Sequence, residues 1–163
     1  MPSYDIVSKL DMGEIKNALD QARREIEGRY DFKGANTTVE LKDEKAIEII
    51  TGNDYQVKAS LDIIRTRFAK RGIGMRCLEP GEATPTGNRQ MKLVIELKSG
   101  IDKDNGKIIN RIIKDSKMKL TSQYMDERVR VTGKSIDELQ ELWAVIKAHE
   151  EIKVDLQMEN MKR

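Results

Sequence analysis

The sequence predicts an α+β protein built as two tandem ferredoxin-like domains, each a four-stranded antiparallel sheet with two helices on one face. Three observations predict it. The order strand, helix, strand, strand, helix, strand occurs twice along the 163 residues, with apolar residues at period 2 in the strands and near 3.6 in the helices. The turns between successive strands are too short for parallel crossovers, so those strands pair antiparallel. Between the repeats lies EPGEATPTGN, residues 79–88, which holds two of the chain's three prolines and two glycines and reads as a linker. The expected division is a first domain over 1–78, the linker 79–88, and a second domain over 89–163. Edge strands cross readily between similar neighbouring units, so segment 1–10 or segment 73–78 is a candidate to pair with the other half.

Each element has its own signal. Tyr4 to Ser8 reads as a short strand, and Asp11-Met-Gly-Glu14 after it has capping-box spacing. Ile15, Ala18, Leu19, Ala22 and Ile26 then recur at helical spacing. Val39 and Leu41 alternate with polar residues, Lys42 to Lys45 make a turn, and Ile47 and Ile49 alternate in the returning strand. A second helix runs from about Asn53 with Val57, Leu61, Ile64 and Phe68 on one face, and closes at Lys70, Arg71 and Gly72. Residues 73–78 supply a further strand. In the second half, Met91, Leu93, Ile95 and Leu97 alternate, and Ile101, Ile108, Ile109, Ile112 and Ile113 mark a helix. Met118 and Leu120 begin a strand, Asp126 and Glu127 turn it, and Val129 and Val131 alternate in the return. Ser135 to Glu138 is another capping box, ahead of Ile136, Leu139, Leu142, Trp143 and Ile146, and Ile152, Val154 and Leu156 close the unit.

Composition narrows function. Charged residues make up 36% of the chain, yet thirty cations against twenty-eight anions leave a net charge of only +2. A pI near 8.6 permits an acidic partner without demanding one. There is no apolar run of membrane-spanning length, and the opening MPSYDIVS has neither the basic nor the apolar region of a secretory signal. The single cysteine, Cys77, cannot form an internal disulfide, which fits a reducing cytoplasm, and the single histidine, His149, has no partner for a histidine metal site. No cofactor is expected. Gly100-Ile-Asp-Lys-Asp-Asn-Gly106-Lys107 departs from a phosphate loop: five residues separate its glycines instead of four, and Ile108 replaces the magnesium-binding hydroxyl. The same segment fails as a calcium loop, because Ile113 stands where the terminal glutamate belongs. These counts weigh against an enzyme.

Binding is better supported. Lys107, Arg111 and Lys114 stand at i, i+4 and i+7 and share one side of a helix. Lys117 and Lys119 follow, with Arg128 and Arg130 across the hairpin. If Val129 and Val131 face the core, strand alternation turns Arg128, Arg130 and Thr132 to the open sheet face, and Lys119 joins them if Met118 and Leu120 point inward. Such cations suit phosphates, although an open antiparallel sheet also carries charges simply to stay soluble and unpaired. The strands KAIEII and VRVT hold no aromatic, so the sheet is not a base-stacking platform. The chain's one close aromatic pair lies in RYDFKG instead, where Phe32 reads as a packing residue and Arg29, Tyr30 and Lys33 as a rim contact.

SYDIVS, RYDFKGA, KDSKMKL and VRVTGKSIDELQ, four separated motifs in order, resemble the YajQ family of small bacterial proteins over essentially the whole chain. The resemblance implies tandem domains of the ferredoxin-like or RNP-like fold, and keeps open a permuted arrangement with the N-terminal strand lent to the other domain. It also implies binding of nucleic acid, with RNA ahead of duplex DNA, or of a guanine nucleotide, without enzymatic activity. Some relatives are described as cyclic di-GMP receptors acting through a transcription regulator, and that is the alternative reading. A third is an interaction module that uses its open sheet face for protein contact.

Overall fold

In the computed structural model, which describes residues 1–163, every α-helix begins at a side-chain cap. Helix α1 (Met12–Gly28) starts where the Asp11 carboxylate accepts from the Glu14 amide at 3.1 Å, and α2 (Asp54–Lys70) where Asn53 accepts from Gln56 at 2.9 Å. Asp102 does the same for α3 (Lys103–Asp115) at 2.8 Å, and Ser135 for α4 (Ile136–Lys147) at 3.3 Å. Each cap satisfies an amide that the first helical turn would leave unpaired, worth about 1 kcal/mol.

The strands are β1 (Ser3–Val7), β2 (Thr38–Lys42), β3 (Ala46–Thr51), β4 (Leu78–Pro80), β5 (Thr84–Pro85), β6 (Met91–Leu97), β7 (Leu120–Met125), β8 (Arg128–Gly133) and β9 (Gln157–Lys162). They form two sheets, β2-β3-β6-β4 with β5 also on β6, and β7-β8-β1-β9, antiparallel at every pairing. Asp43 and Glu44 in the three-residue β2–β3 connection, and Asp126 and Glu127 in the two-residue β7–β8 turn, all take positive φ. Helices α1 and α2 cover one face of the first sheet, and α3 and α4 one face of the second.

The chain divides into a continuous unit, Leu10–Lys98, and a discontinuous unit of Met1–Lys9 with Ser99–Arg163. This differs from a division at 78 and 89. Strand β6, expected to open the second half, hydrogen-bonds β3 and β4 instead, while β1 lies between β8 and β9. Each strand that precedes a half's first helix therefore sits in the other half's sheet. Residues 79–88 are correspondingly no linker, since β4 ends and β5 pairs within them. The strand expected at 73–78 is a 3₁₀ turn over Met75–Cys77 leading into β4. Ile152, Val154 and Leu156 alternate in burial without being a strand; they pack into the core as irregular chain, and the closing strand β9 follows them.

Two cores result. Ile15, Leu19, Ile47, Ile49, Ile64, Phe68 and Ile95 anchor the continuous unit, and Tyr4, Ile6, Ile109, Val129, Val131 and Leu139 the other. Tyr4 is fully buried, donates its hydroxyl to the Leu139 carbonyl at 2.8 Å and meets Trp143 edge-on at 6.3 Å. Burial pushes its phenol well above the ordinary range. No helix is long and apolar enough to cross a membrane.

Candidate functional site

The ten candidate side chains fall into three groups. Arg29, Tyr30 and Lys33 belong to the continuous unit, where a 3₁₀ turn over Tyr30–Phe32 follows α1. Phe32 turns into the core and is 5% exposed, whereas Tyr30 is 88% exposed. Arg29, Tyr55 and Gln56 brace the turn. Arg29 grips Asp31 through Nε at 2.9 Å and Nη2 at 2.7 Å and stacks its guanidinium 5.6 Å over the Phe32 ring. The hydroxyl of Tyr55, in the first turn of α2, donates to the same carboxylate at 2.9 Å. Gln56 donates its Nε2 to the Asp31 carbonyl at 2.9 Å while its Oε1 accepts from the Gly52 amide at 2.9 Å. Arg29's hydrogen bonds, helped by Tyr55, hold Asp31 below the usual carboxylate range. Gly34, at φ +80°, then reverses the chain in a conformation that favours glycine.

This turn borders a depression of about 590 Å³, lined by Arg29, Tyr30, Phe32, Lys33, Gly34 and Asn36 among others. The depression is open to solvent, and Glu27 also lines it. Its rim offers an exposed phenol ring and the exposed Lys33 ammonium. Asp31 is charge-paired with Arg29.

The second group, Arg128 and Arg130 on β8, lies on the open face of the other sheet. Val129 and Val131 are fully buried on the helix side, so the alternation expected for this strand is observed. The two arginines are not free, however. Both reach Asp5 on β1, a residue the sequence reading passed over: Arg130 donates from Nε at 2.8 Å and Nη2 at 3.3 Å, and Arg128 from Nη1 at 3.2 Å. Asn160 on β9 adds a fourth bond at 3.0 Å. Asp5 is 1% exposed, and these bonds, Arg130's foremost, pull its carboxyl down to about 2. The signal in the sequence was parity, since an acid at position 5 between Tyr4 and Ile6 must face away from the core.

Of the third group, the three cations on α3 do not join the second. Lys107, Arg111 and Lys114 are exposed along α3, in the helix layer on the opposite side of the sheet from Arg128 and Arg130. Arg111 is also paired with Glu151. Lys117 takes a left-handed conformation in the turn after α3, and Lys119 is exposed one residue before β7, sharing the parity of Thr121 on the open face. Lys107, Arg111 and Lys114 thus lie on the helix side, and Lys119 has the parity of the face that carries Arg128 and Arg130. Tyr55, Asp31 and Gln56 were also unmarked in the sequence; no spacing rule links them, because their meeting depends on how α2 lies against the turn.

The sequence matches the family described as "Nucleotide-binding protein YajQ-like" over residues 2–162. A curated relative named "Nucleotide-binding protein", from Geotalea daltonii, is 43% identical over 163 residues and covers all of both chains. One from Geobacter sp. (strain M21) is 41% identical over 162 residues, 99% of each chain. One from Desulfitobacterium hafniense is 40% identical over 160 residues, 98% of this chain and 97% of its own. On a full-length match of this kind, joined to two antiparallel sheets each covered by two helices, the chain belongs to the YajQ-like family.

Proposed function

We propose that this chain is a non-catalytic nucleotide-binding protein that stacks a base on Tyr30 and meets the adjoining phosphate with Lys33. The observation that carries the reading is the 88% exposure of Tyr30 on a turn held rigid by the Arg29–Asp31–Tyr55 bonds. A single exposed tyrosine is ordinary. One that is held on a braced turn, beside a concavity and a lysine, offers a stacking surface at little ordering cost. The names of the relatives, nucleotide-binding proteins, support the same class. Stacking needs an unpaired base, which favours single-stranded RNA or a free guanine nucleotide over duplex DNA. The absence of a second cysteine fits action in the cytoplasm.

The test is a titration with short single-stranded RNA, GTP and cyclic di-GMP at two salt concentrations, with wild type, Tyr30→Ala and Tyr30→Phe. Loss of a stacked base costs ~1–3 kcal/mol, so Tyr30→Ala weakens binding ~5- to 150-fold while Tyr30→Phe retains it. RNA binding that falls steeply with salt is the expected result. Tight, salt-tolerant binding of cyclic di-GMP alone would decide for a receptor that relays the signal to a transcription regulator. Affinity unchanged in Tyr30→Ala for all three ligands would overturn the site.

A further inference from the structure

We propose that the open sheet face of the discontinuous unit carries a second site, for the phosphates of a single-stranded RNA backbone, formed by Arg128 and Arg130 and positioned by Asp5. It lies in the other unit from Tyr30 and stands independently of that reading.

The geometry is specific. Asp5 is directly opposite Arg130 in the β1–β8 register, so their side chains rise from the same face. Three hydrogen bonds tie the two guanidinium groups to one carboxylate. A guanidinium carries five N–H donors, so most of the donors of the pair remain for another partner. The arginine side chains are 32% and 46% exposed while Asp5 beneath them is 1% exposed. A ligand on this face therefore meets donors and not the carboxylate. One anion under two cations leaves an excess positive charge, which neutralising a buried acid does not require. The neighbours in register are uncharged: Gln123 is opposite Arg130, Met125 is opposite Arg128, and Thr121 and Ser3 flank Thr132. Lys162 lies opposite Ser3 on β9, and Glu159, the acid opposite Asp5 on that strand, is paired with Lys9. Arginine forks fixed in advance lose less freedom on meeting a phosphate, and a phosphate's paired oxygens match the planar fork.

Two readings of Asp5 predict opposite signs. If only net charge matters, Asp5→Asn adds a positive charge and RNA binds more tightly with a steeper salt dependence. If Asp5 positions the forks, Asp5→Asn loosens them and RNA binding weakens despite the added charge. Arg130→Lys keeps the charge and loses the fork, and as a half-exposed site it reports even if Asp5→Asn does not fold. The experiment measures binding of a short single-stranded RNA by anisotropy against salt, in wild type and in a Tyr30→Ala background. Both variants should weaken binding about ten-fold, and Arg128→Ala with Arg130→Ala should lower the salt slope by about one to two. These effects should appear in both backgrounds, so failure at Tyr30 is read separately. Tighter binding by a folded Asp5→Asn protein, or wild-type affinity in Arg130→Lys, would overturn the proposal.

Discussion

Replacing Asp5 by asparagine isolates one buried charge and makes its pH dependence measurable. Arg130 first, with Asn160 and Arg128, lowers the Asp5 carboxyl from 3.8 to about 2 against the opposing effect of burial. At 1.36 kcal/mol per unit the shift corresponds to ~2.4 kcal/mol. Arg130 is 46% exposed, so solvent screening trims this to about 1–2 kcal/mol. Because the folded value lies below the unfolded one, the contribution is complete above about pH 4 and disappears as the pH falls through about 2. Asparagine does not titrate, and the other carboxylates cancel when variant and wild type are compared. The stability difference should therefore shrink by about 1–2 kcal/mol between pH 5 and pH 2. Trp143, the chain's one tryptophan, packs edge-on against Tyr4 in the same unit, so its fluorescence during urea unfolding reports the right part of the chain. A difference that stays constant over this range would refute the claim that Asp5 is held ionised by the arginines.

Gly106→Ala should destabilise the discontinuous unit by about 1–3 kcal/mol, although alanine is the better helix former, because the new Cβ would lie 2.7 Å from the Tyr124 ring; thermal melts on Trp143 fluorescence would read it, and a stabilised variant would contradict the packing. Gln56→Leu keeps the volume but strips the partners from the Gly52 amide and the Asp31 carbonyl, so it should cost about 1–3 kcal/mol and speed amide exchange over residues 30–34. Incubation with GTP or ATP should release no phosphate above the protein-free rate, and turnover that survives repurification but disappears in Asp31→Asn would reverse the non-catalytic reading.

The helices were legible because their signals are local. Asp11 and Ser135 announce their caps within three residues, and the apolar period names the buried face. Strand partners were another matter. Alternation states which side chains point inward, and it read Val39, Ile47, Leu93 and Val129 correctly. It says nothing about which sheet receives the strand. Strands β1 and β6 each alternate, each precede a helix, and each would fit either sheet by pattern alone, so their exchange left no mark on local periodicity. The alternation of Ile152, Val154 and Leu156 misled in the converse way, since irregular chain packed under helices buries every second residue too.

The same exchange explains why half of the candidate chemistry was visible and half was not. Arg128 and Arg130 could be placed on an open face from their neighbours, but their partner Asp5 lies 123 and 125 residues away and joins them only because β1 enters the other half's sheet. The corresponding place in the continuous unit shows what the strand contributes. There β6 lies beside β3, and Val94 stands opposite Glu48 where Asp5 stands opposite Arg130. One central pair is a valine and an acid that reaches Lys92 at 3.6 Å; the other is a buried acid under two arginines. Two sheets of one topology thus carry different central chemistry, set by the received strand and by the hairpin strand it pairs with. The exchange moderates the positive charge at the centre of the second open face, because β1 brings one carboxylate to a strand that carries two guanidinium groups and leaves a single charge in excess.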